Sequence, residues 1–470
     1  MIQLTGIPEK IMVSTLVNPY LDGNFAPIHQ EITAENLKVI GELPADLSGM
    51  FVRNGPNPQF PAIGQYHWFD GDGMLHGVRI HNGKASYRNR YVRTQGYQIE
   101  HQAGKAIWSG LLEPPQMDNP YGPVKNVANT ALVWHSGQLL ALWEAGAPHA
   151  IRLPDLDTIG AYNYNGKLAS AFTAHPKVDP VTGEMMFFGY SLAQPPYLKY
   201  SVVSAAGELL QTVPIELPTP VMMHDFAITE NYTIFMDLPL TFRPERMQKG
   251  QPFLMFERDL PSRFGIVPRH GDNDNIRWFE SSSCFLFHIL NAYEAGDEVI
   301  LIACRMSAMN IVPIPEANSD PDAGIPRLYQ WRFNLKTGNV SEQMLDDVAS
   351  EFPRMNETLV GRKNRYGYTG KMANNPMPLF EGLIKYDLEK GQSETHHFGA
   401  GRYGGEAVFA PRPGATVEDD GWLITFVHDE NEQQSELVVF DAQNLTDAPV
   451  ARVMIPQRVP YGFHAIWVAE

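Results

Sequence analysis

The sequence predicts an all-β protein, on three observations: short apolar runs recur along it, turn signals separate them, and sustained helical periodicity is scarce. Its 470 residues carry 39 glycines and 37 prolines, residue types that punctuate strands and are disfavoured inside helices. The strands can be placed in order. Residues 184–190 follow the turn Asp179-Pro180-Val181-Thr182-Gly183, 232–237 follow Glu230-Asn231, and 298–304 follow Ala295-Gly296-Asp297. Near the end, 422–428 and 436–441 flank the polar link Asp429-Glu430-Asn431-Glu432. Strands so closely spaced build a sandwich, a barrel or a propeller. No propeller-type sequence repeat fixes a blade number. No low-complexity linker divides 1–470, which reads as one domain. Helical insertions are expected around 102–108 and 244–250.

Bulk composition narrows the partners. Hydrophobic residues make up 44% of the chain, ample for a large core, and the formal net charge is −17. That charge argues against a nucleic-acid partner, because polyanion binding depends on clustered Lys and Arg. The only two cysteines, Cys284 and Cys304, sit among apolar neighbours. They are expected to be buried thiols in a reducing compartment, too few for a disulfide framework or a thiolate metal site. The apolar stretch 11–17 is broken by Ser14 and Thr15 and preceded by Glu9 and Lys10, unlike a signal peptide. No run approaches the ~18 apolar residues of a transmembrane helix. A cytoplasmic monomer with at most peripheral membrane contact is expected.

Most of the fifteen histidines sit in polar contexts such as His396-His397, and four share a different setting. His175 lies in Thr173-Ala174-His175-Pro176, His224 in Met223-His224-Asp225-Phe226, His288 in Phe287-His288-Ile289-Leu290 and His464 in Phe463-His464-Ala465-Ile466. Each is a lone imidazole with apolar neighbours, and the first three are followed by a turn and an apolar strand. Such a recurrence suggests histidines entering a common centre from successive structural units. A single buried histidine is more often a hydrogen-bonded core residue, and imidazole binds iron, zinc or copper, so the ligand type alone names no metal.

These segments resemble those of the carotenoid cleavage oxygenase family, which includes apocarotenoid oxygenases, plant carotenoid cleavage dioxygenases and the retinal pigment epithelium isomerase. Further similar segments are Phe51-Val52-Arg53-Asn54-Gly55-Pro56-Asn57-Pro58, His67-Trp68-Phe69-Asp70-Gly71-Asp72-Gly73-Met74 and Asn126-Val127-Ala128-Asn129-Thr130. Glu351-Phe352-Pro353-Arg354 and Gly405-Glu406-Ala407-Val408-Phe409-Ala410-Pro411-Arg412 complete an ordered set from near Gly41 to the C-terminus. The resemblance implies a seven-bladed β-propeller, a few helical insertions capping the iron-bearing face, and one Fe(II) per chain on the axis. It assigns the iron to His175, His224, His288 and His464, with Glu144, Glu351 and Glu406 behind three of them and His175 left without a carboxylate. A carboxylate accepting the outer ring N–H fixes the tautomer and raises ligand basicity. Thr130 matches a residue that crowds an open iron position. Dioxygen is then the co-substrate for scission of an alkene into two carbonyl products.

The resemblance also divides substrates. Stilbene-cleaving members have Lys immediately before the first of these glutamates and Tyr in the preceding segment, where they reach a phenol. Here Trp143 precedes Glu144, and Leu111 stands in the place of the Tyr. Leu has no donor, and indole N–H is a poor phenol activator. Trp143 and Phe287 offer large flat apolar surfaces, so a carotenoid or apocarotenoid is the expected substrate. Stilbene cleavage, a carotenoid-binding or isomerising protein, and a propeller scaffold are the rival readings. Because a polyene resides in membrane, residues 238–256, with Leu240, Phe242, Phe253, Leu254, Met255 and Phe256 beside Arg243, Arg246 and Lys249, are the candidate docking surface.

Overall fold

The computed structural model describes residues 18–249, 251–309, 311 and 322–470; the apolar stretch 11–17 lies outside them. The fold is nearly all-β. Along the chain, strands pair with their sequence neighbours into antiparallel units of four. Ala131–His135 to Asp157–Ala161 form one such unit, Lys177–Val178 to Leu209–Ile215 the next, and Phe285–Ala295 to Val340–Met344 another. Between the last two, Ala227–Ile228, Tyr232–Asp237, Ser262–Pro268 and Arg277–Ser281 form a fourth, with the hairpin Leu240–Phe242/Leu254–Phe256 inserted. A ten-stranded sheet joins the units starting at Ser350–Arg354 and Val408–Pro411 through the short Arg402–Gly404. The remaining unit pairs Gly49–Pro56 with Ala465–Ala469, so segments distant in sequence share one sheet. This grouping is consistent with seven blades. The starting strand of every unit, with Ala465–Ala469 as that of the terminal one, contributes to the lining of one cavity of about 450 Å³, which therefore marks the axis.

Local chemistry explains the boundaries. At Asp179–Gly183, the Asp179 carboxylate accepts from the Val181 and Thr182 amides, and Gly183 closes the turn at φ +70°, a conformation that suits glycine. Met185–Tyr190 then starts directly after it. Central strands such as Gly421–Asp429 are buried along both faces, because neighbouring units pack face to face. Tyr232–Asp237 has the bounds the sequence predicts, while the run at 298–304 extends to Met306. Cys284 and Cys304 are both free and buried.

Two expectations are corrected. The helix expected at 102–108 lies earlier, at Gln95–Ala103. Thr94 caps it by accepting from the Tyr97 amide, and Gly104 ends it at φ +68°. Among the described residues it is the one α-helix; Pro244–Lys249 is a 3-10 turn. Residues 238–256 do not form an exposed apolar surface. Leu238, Leu240, Leu254 and Phe256 are buried in the largest core cluster, with Phe242 and Phe253 half-buried against it. The hairpin needs these apolar groups to hold it on the neighbouring unit. No helix among the described residues is long and apolar enough to cross a membrane.

Candidate metal centre

Each unit places one polar side chain at or near the beginning of its axial strand. Thr130 precedes Ala131–His135, His175 precedes Lys177–Val178, His224 precedes Ala227–Ile228, and His464 precedes Ala465–Ala469. Glu406 precedes Val408–Pro411, while His288 and Glu351 lie within Phe285–Ala295 and Ser350–Arg354. Register shifts flank His288 in its strand and lie between Glu351 and Arg354 in the other; such bulges re-aim side chains out of the regular alternation. One ring nitrogen from each of His175, His224, His288 and His464 lies within 4.8 Å of the other three.

The outer ring nitrogens explain what the inner ones can do. His224 Nδ1 donates to Glu144 Oε2 at 2.7 Å, His288 Nδ1 to Glu351 Oε2 at 2.6 Å, and His464 Nδ1 to Glu406 Oε1 at 3.0 Å. With Nδ1 carrying the proton, Nε2 presents a lone pair to the centre. His224 and His288 Nε2 then face each other at 3.3 Å, and His175 Nε2 lies 3.0 Å from His224 Nε2. The facing acceptors of His224 and His288 repel at this distance unless a cation is shared between them, so the donor set fits a metal ion. Burial holds the His175 imidazole well below its usual range and brings His464 down to about 4, which keeps both neutral as ligation requires. Burial opposes the cation at His288 as well, but the Glu351 charge and hydrogen bond outweigh it and raise that group.

The three carboxylates differ in what stands behind them. Burial alone would raise the Glu406 carboxyl, yet the Arg354 guanidinium, His464 and the Ala465 amide hold it at about 2. Glu144 Oε1 accepts from the Tyr190 hydroxyl at 2.7 Å, and burial beside that carboxylate keeps the phenol protonated. Glu351 Oε1 is buried without a partner. Phe352, at φ +54°, sets its ring 5.4 Å from His288 and 5.0 Å from His464. Neither Tyr190 nor Arg354 is marked as part of the site by the sequence alone. Arg354 and Phe352 lie inside the quoted segment Glu351-Phe352-Pro353-Arg354, the one signal available for them; Tyr190 carries none.

A cavity of about 850 Å³ ends on His224, His288 and His464, and Thr130, Trp143, Glu144, Phe287, Glu351 and Phe352 line it. The Phe287 ring meets His224 edge-on at 5.1 Å. Thr130 Oγ1 donates to Asn129 Oδ1 at 3.0 Å, and its carbonyl accepts from the His464 amide. Leu111 is a correction: it does not line this cavity. Its amide is tied to Asp70 Oδ1 at 2.8 Å, and it lines a separate cavity of about 230 Å³ that Trp143 also lines.

Four imidazoles converging on the axis of a β-fold, three of them backed by carboxylates, at the end of an apolar cavity, define a β-propeller protein whose centre fits a metal ion. The chain belongs to the carotenoid cleavage oxygenase family: the family model described as retinal pigment epithelial membrane protein matches residues 25–469. It is 46% identical to carotenoid 9,10(9',10')-cleavage dioxygenase 1 of Arabidopsis thaliana, over 100% of this chain and 94% of the relative. Among solved structures, Pseudomonas brassicacearum lignostilbene dioxygenase superposes with a TM-score of 0.90 at 33% identity, covering 97% of this chain and 99% of that one. A Synechocystis apocarotenoid oxygenase variant gives 0.85 at 30% identity, over 95% and 98%. The Synechocystis enzyme has also been solved with substitutions at a threonine and at an adjacent tryptophan–glutamate pair. These are the residue types, in the same spacing, of Thr130 and Trp143-Glu144.

Proposed function

We propose that this chain is a non-haem Fe(II) dioxygenase, a single catalytic domain that cleaves a carbon–carbon double bond of a carotenoid or apocarotenoid to aldehyde or ketone products. The observation that carries this reading is the four-imidazole cluster at the end of an apolar cavity. His175, His224, His288 and His464 would hold the iron, one per chain, and Glu144, Glu351 and Glu406 would fix three of the rings. Bound iron(II) supplies the activation of dioxygen. The protein's own part is positional. Trp143 and Phe287 offer flat faces against which a polyene lies, Phe352 and Phe287 keep water from the histidines, and the Thr130 side chain restricts the space beside them. No acid–base pair is needed for the scission.

The 9,10 and 9′,10′ bonds named for the Arabidopsis relative are the first to examine. The lignostilbene dioxygenase superposes well, but the indole of Trp143 is a poor activator of a phenol, which favours the polyene. The test is anaerobic purification, Fe(II) loading and mass analysis of products from a panel of carotenoids, apocarotenals and hydroxystilbenes. Paired carbonyl fragments from a polyene support the reading. Substrate of unchanged mass but altered geometry would make the chain an isomerase, and efficient turnover of hydroxystilbenes alone would overturn the substrate class.

A further inference from the structure

Two cavities meet at the histidines from different directions. His288 and His464 line both, His224 lines only the 850 Å³ apolar one, and His175 lines only the 450 Å³ axial one. Their walls differ in kind. Beside the histidines, the apolar cavity is walled by Trp143, Phe287, Phe352 and Phe463. The axial cavity carries Lys177 paired with Asp225 at 2.7 Å, Arg354 beside Glu406 at 3.4 Å, and Glu357. Two cations against three carboxylates leave its wall net negative. The apolar cavity also carries charge, Arg327 and Lys371 against Glu144, Asp347, Glu351 and Glu381, so what separates the two is the aromatic wall beside the histidines and not the sign of the charge. Exposed Glu357 and Thr358 stand at its opening to solvent.

We infer that this axial cavity is the passage by which a hydrated divalent cation reaches the four histidines, separate from the cavity that takes the apolar substrate. The inference rests on the metal-centre reading above. A dication keeps its waters where the walls are polar and roomy, and losing them among aromatic rings is prohibitively costly. The inner carboxylates act as a fixed field and not as ligands. Asp225 is held by Lys177 and the Phe226 and Ile289 amides, and Glu406 by His464, Ala465 and Arg354. Such a field in a narrow, low-dielectric cleft concentrates ions of opposite sign. The exposed pair between Glu357 and Arg354 is of the kind that holds weakly, so it opens without disturbing the core. A consequence is that metal can enter while an apolar molecule occupies the other cavity.

The test follows uptake of Co(II) by metal-free protein, read by absorbance and final metal content. Glu357→Lys puts a cation at the axial opening. Glu381→Lys makes the same charge change on the wall of the apolar cavity, where Glu381 pairs with Lys371. Glu357→Lys should slow uptake about tenfold at low salt, the lower end of electrostatic steering effects, and approach the parent rate near ~1 M salt. Final content should stay at one per chain. Thr358→Trp should slow uptake at every salt concentration by narrowing the opening, and Glu381→Lys should leave the rate unchanged. Equal slowing by the two charge variants, slowing by Glu381→Lys alone, or parental rates in both Glu357→Lys and Thr358→Trp overturns the passage. Failure of the parent protein to take up Co(II) at all would remove the metal centre, and the passage with it.

Discussion

Replacing each glutamate behind the histidines by glutamine removes a charge without changing shape, and the three sites should respond unequally. Every group around Glu406 is a donor: His464 Nδ1 at 3.0 Å, the Ala465 amide at 2.7 Å and Arg354 Nη1 at 3.4 Å. A glutamine NH₂ there faces a donor whichever way it is turned. One buried polar group then loses its partner, at about 1–3 kcal/mol, and Arg354 loses part of its counter-charge. Since ~1.4 kcal/mol is tenfold, Glu406→Gln should weaken metal binding about 100-fold and lower the Tm of the metal-free protein. In Glu351→Gln the amide oxygen still accepts from His288 and Phe352, and the NH₂ takes the place of the partnerless Oε1. An intermediate loss follows. Glu144→Gln keeps both of its bonds, because the Tyr190 hydroxyl serves as an acceptor as readily as a donor. Its loss should stay near tenfold, the lower end for outer partners of metal-bound histidines. Chelator competition with Co(II), with thermal unfolding of each metal-free variant, measures the series. Equal losses, or Glu144→Gln as the most damaging, would refute this reasoning.

Other outcomes follow from the same contacts. Tyr190→Phe should leave the fold intact and lower metal affinity several-fold, a loss that disappears when it is combined with Glu144→Ala, which leaves the hydroxyl nothing to hold; chelator competition on single and double variants reads this coupling. Trp143→Ala should depress turnover of a carotenoid by no more than a few kcal/mol, at ~25 cal/mol per Å² of apolar contact removed, while metal content stays at the parent value. Phe256→Ser should cost about 3–5 kcal/mol of stability, as buried aromatic truncations do; denaturant unfolding reads it, and a parental midpoint would return this residue to the surface.

Much of the architecture is legible in the sequence because turn chemistry marks strand ends. Asp179-Pro180-Val181-Thr182-Gly183 announces Met185–Tyr190, and Tyr232–Asp237 is bounded as expected. The helix was misplaced because its stop signal, Gly104 in the left-handed conformation, falls inside the stretch expected to be helical. Blade number was illegible from pattern, since what repeats is a position and not a sequence: Thr130, His175, His224, His288, Glu351, Glu406 and His464 all stand at or near the beginning of an axial strand. The four histidines stood out by their apolar settings. The glutamates did not, since an isolated Glu in a sequence has no mark of burial, and only the family resemblance singled them out. Tyr190 and Arg354 escaped because their partners Glu144 and Glu406 lie 46 and 52 residues away, joined only by the folded chain. Leu111 was assigned from its place in the family resemblance, which does not reveal how its loop is tied; the bond from its amide to Asp70 belongs to the fold, and Leu111 lines a separate cavity.

The measurement that bears most directly on the metal centre is an anaerobic titration of metal-free protein with Fe(II), followed by exposure to dioxygen and a carotenoid, with cleaved product counted against iron added. Product formation should rise linearly and break at one iron per chain, and the variant lacking His288 (His288→Ala) should give neither the break nor the product. Cleavage that is independent of added iron, or that persists undiminished in His288→Ala, would contradict the assignment of this chemistry to the four histidines.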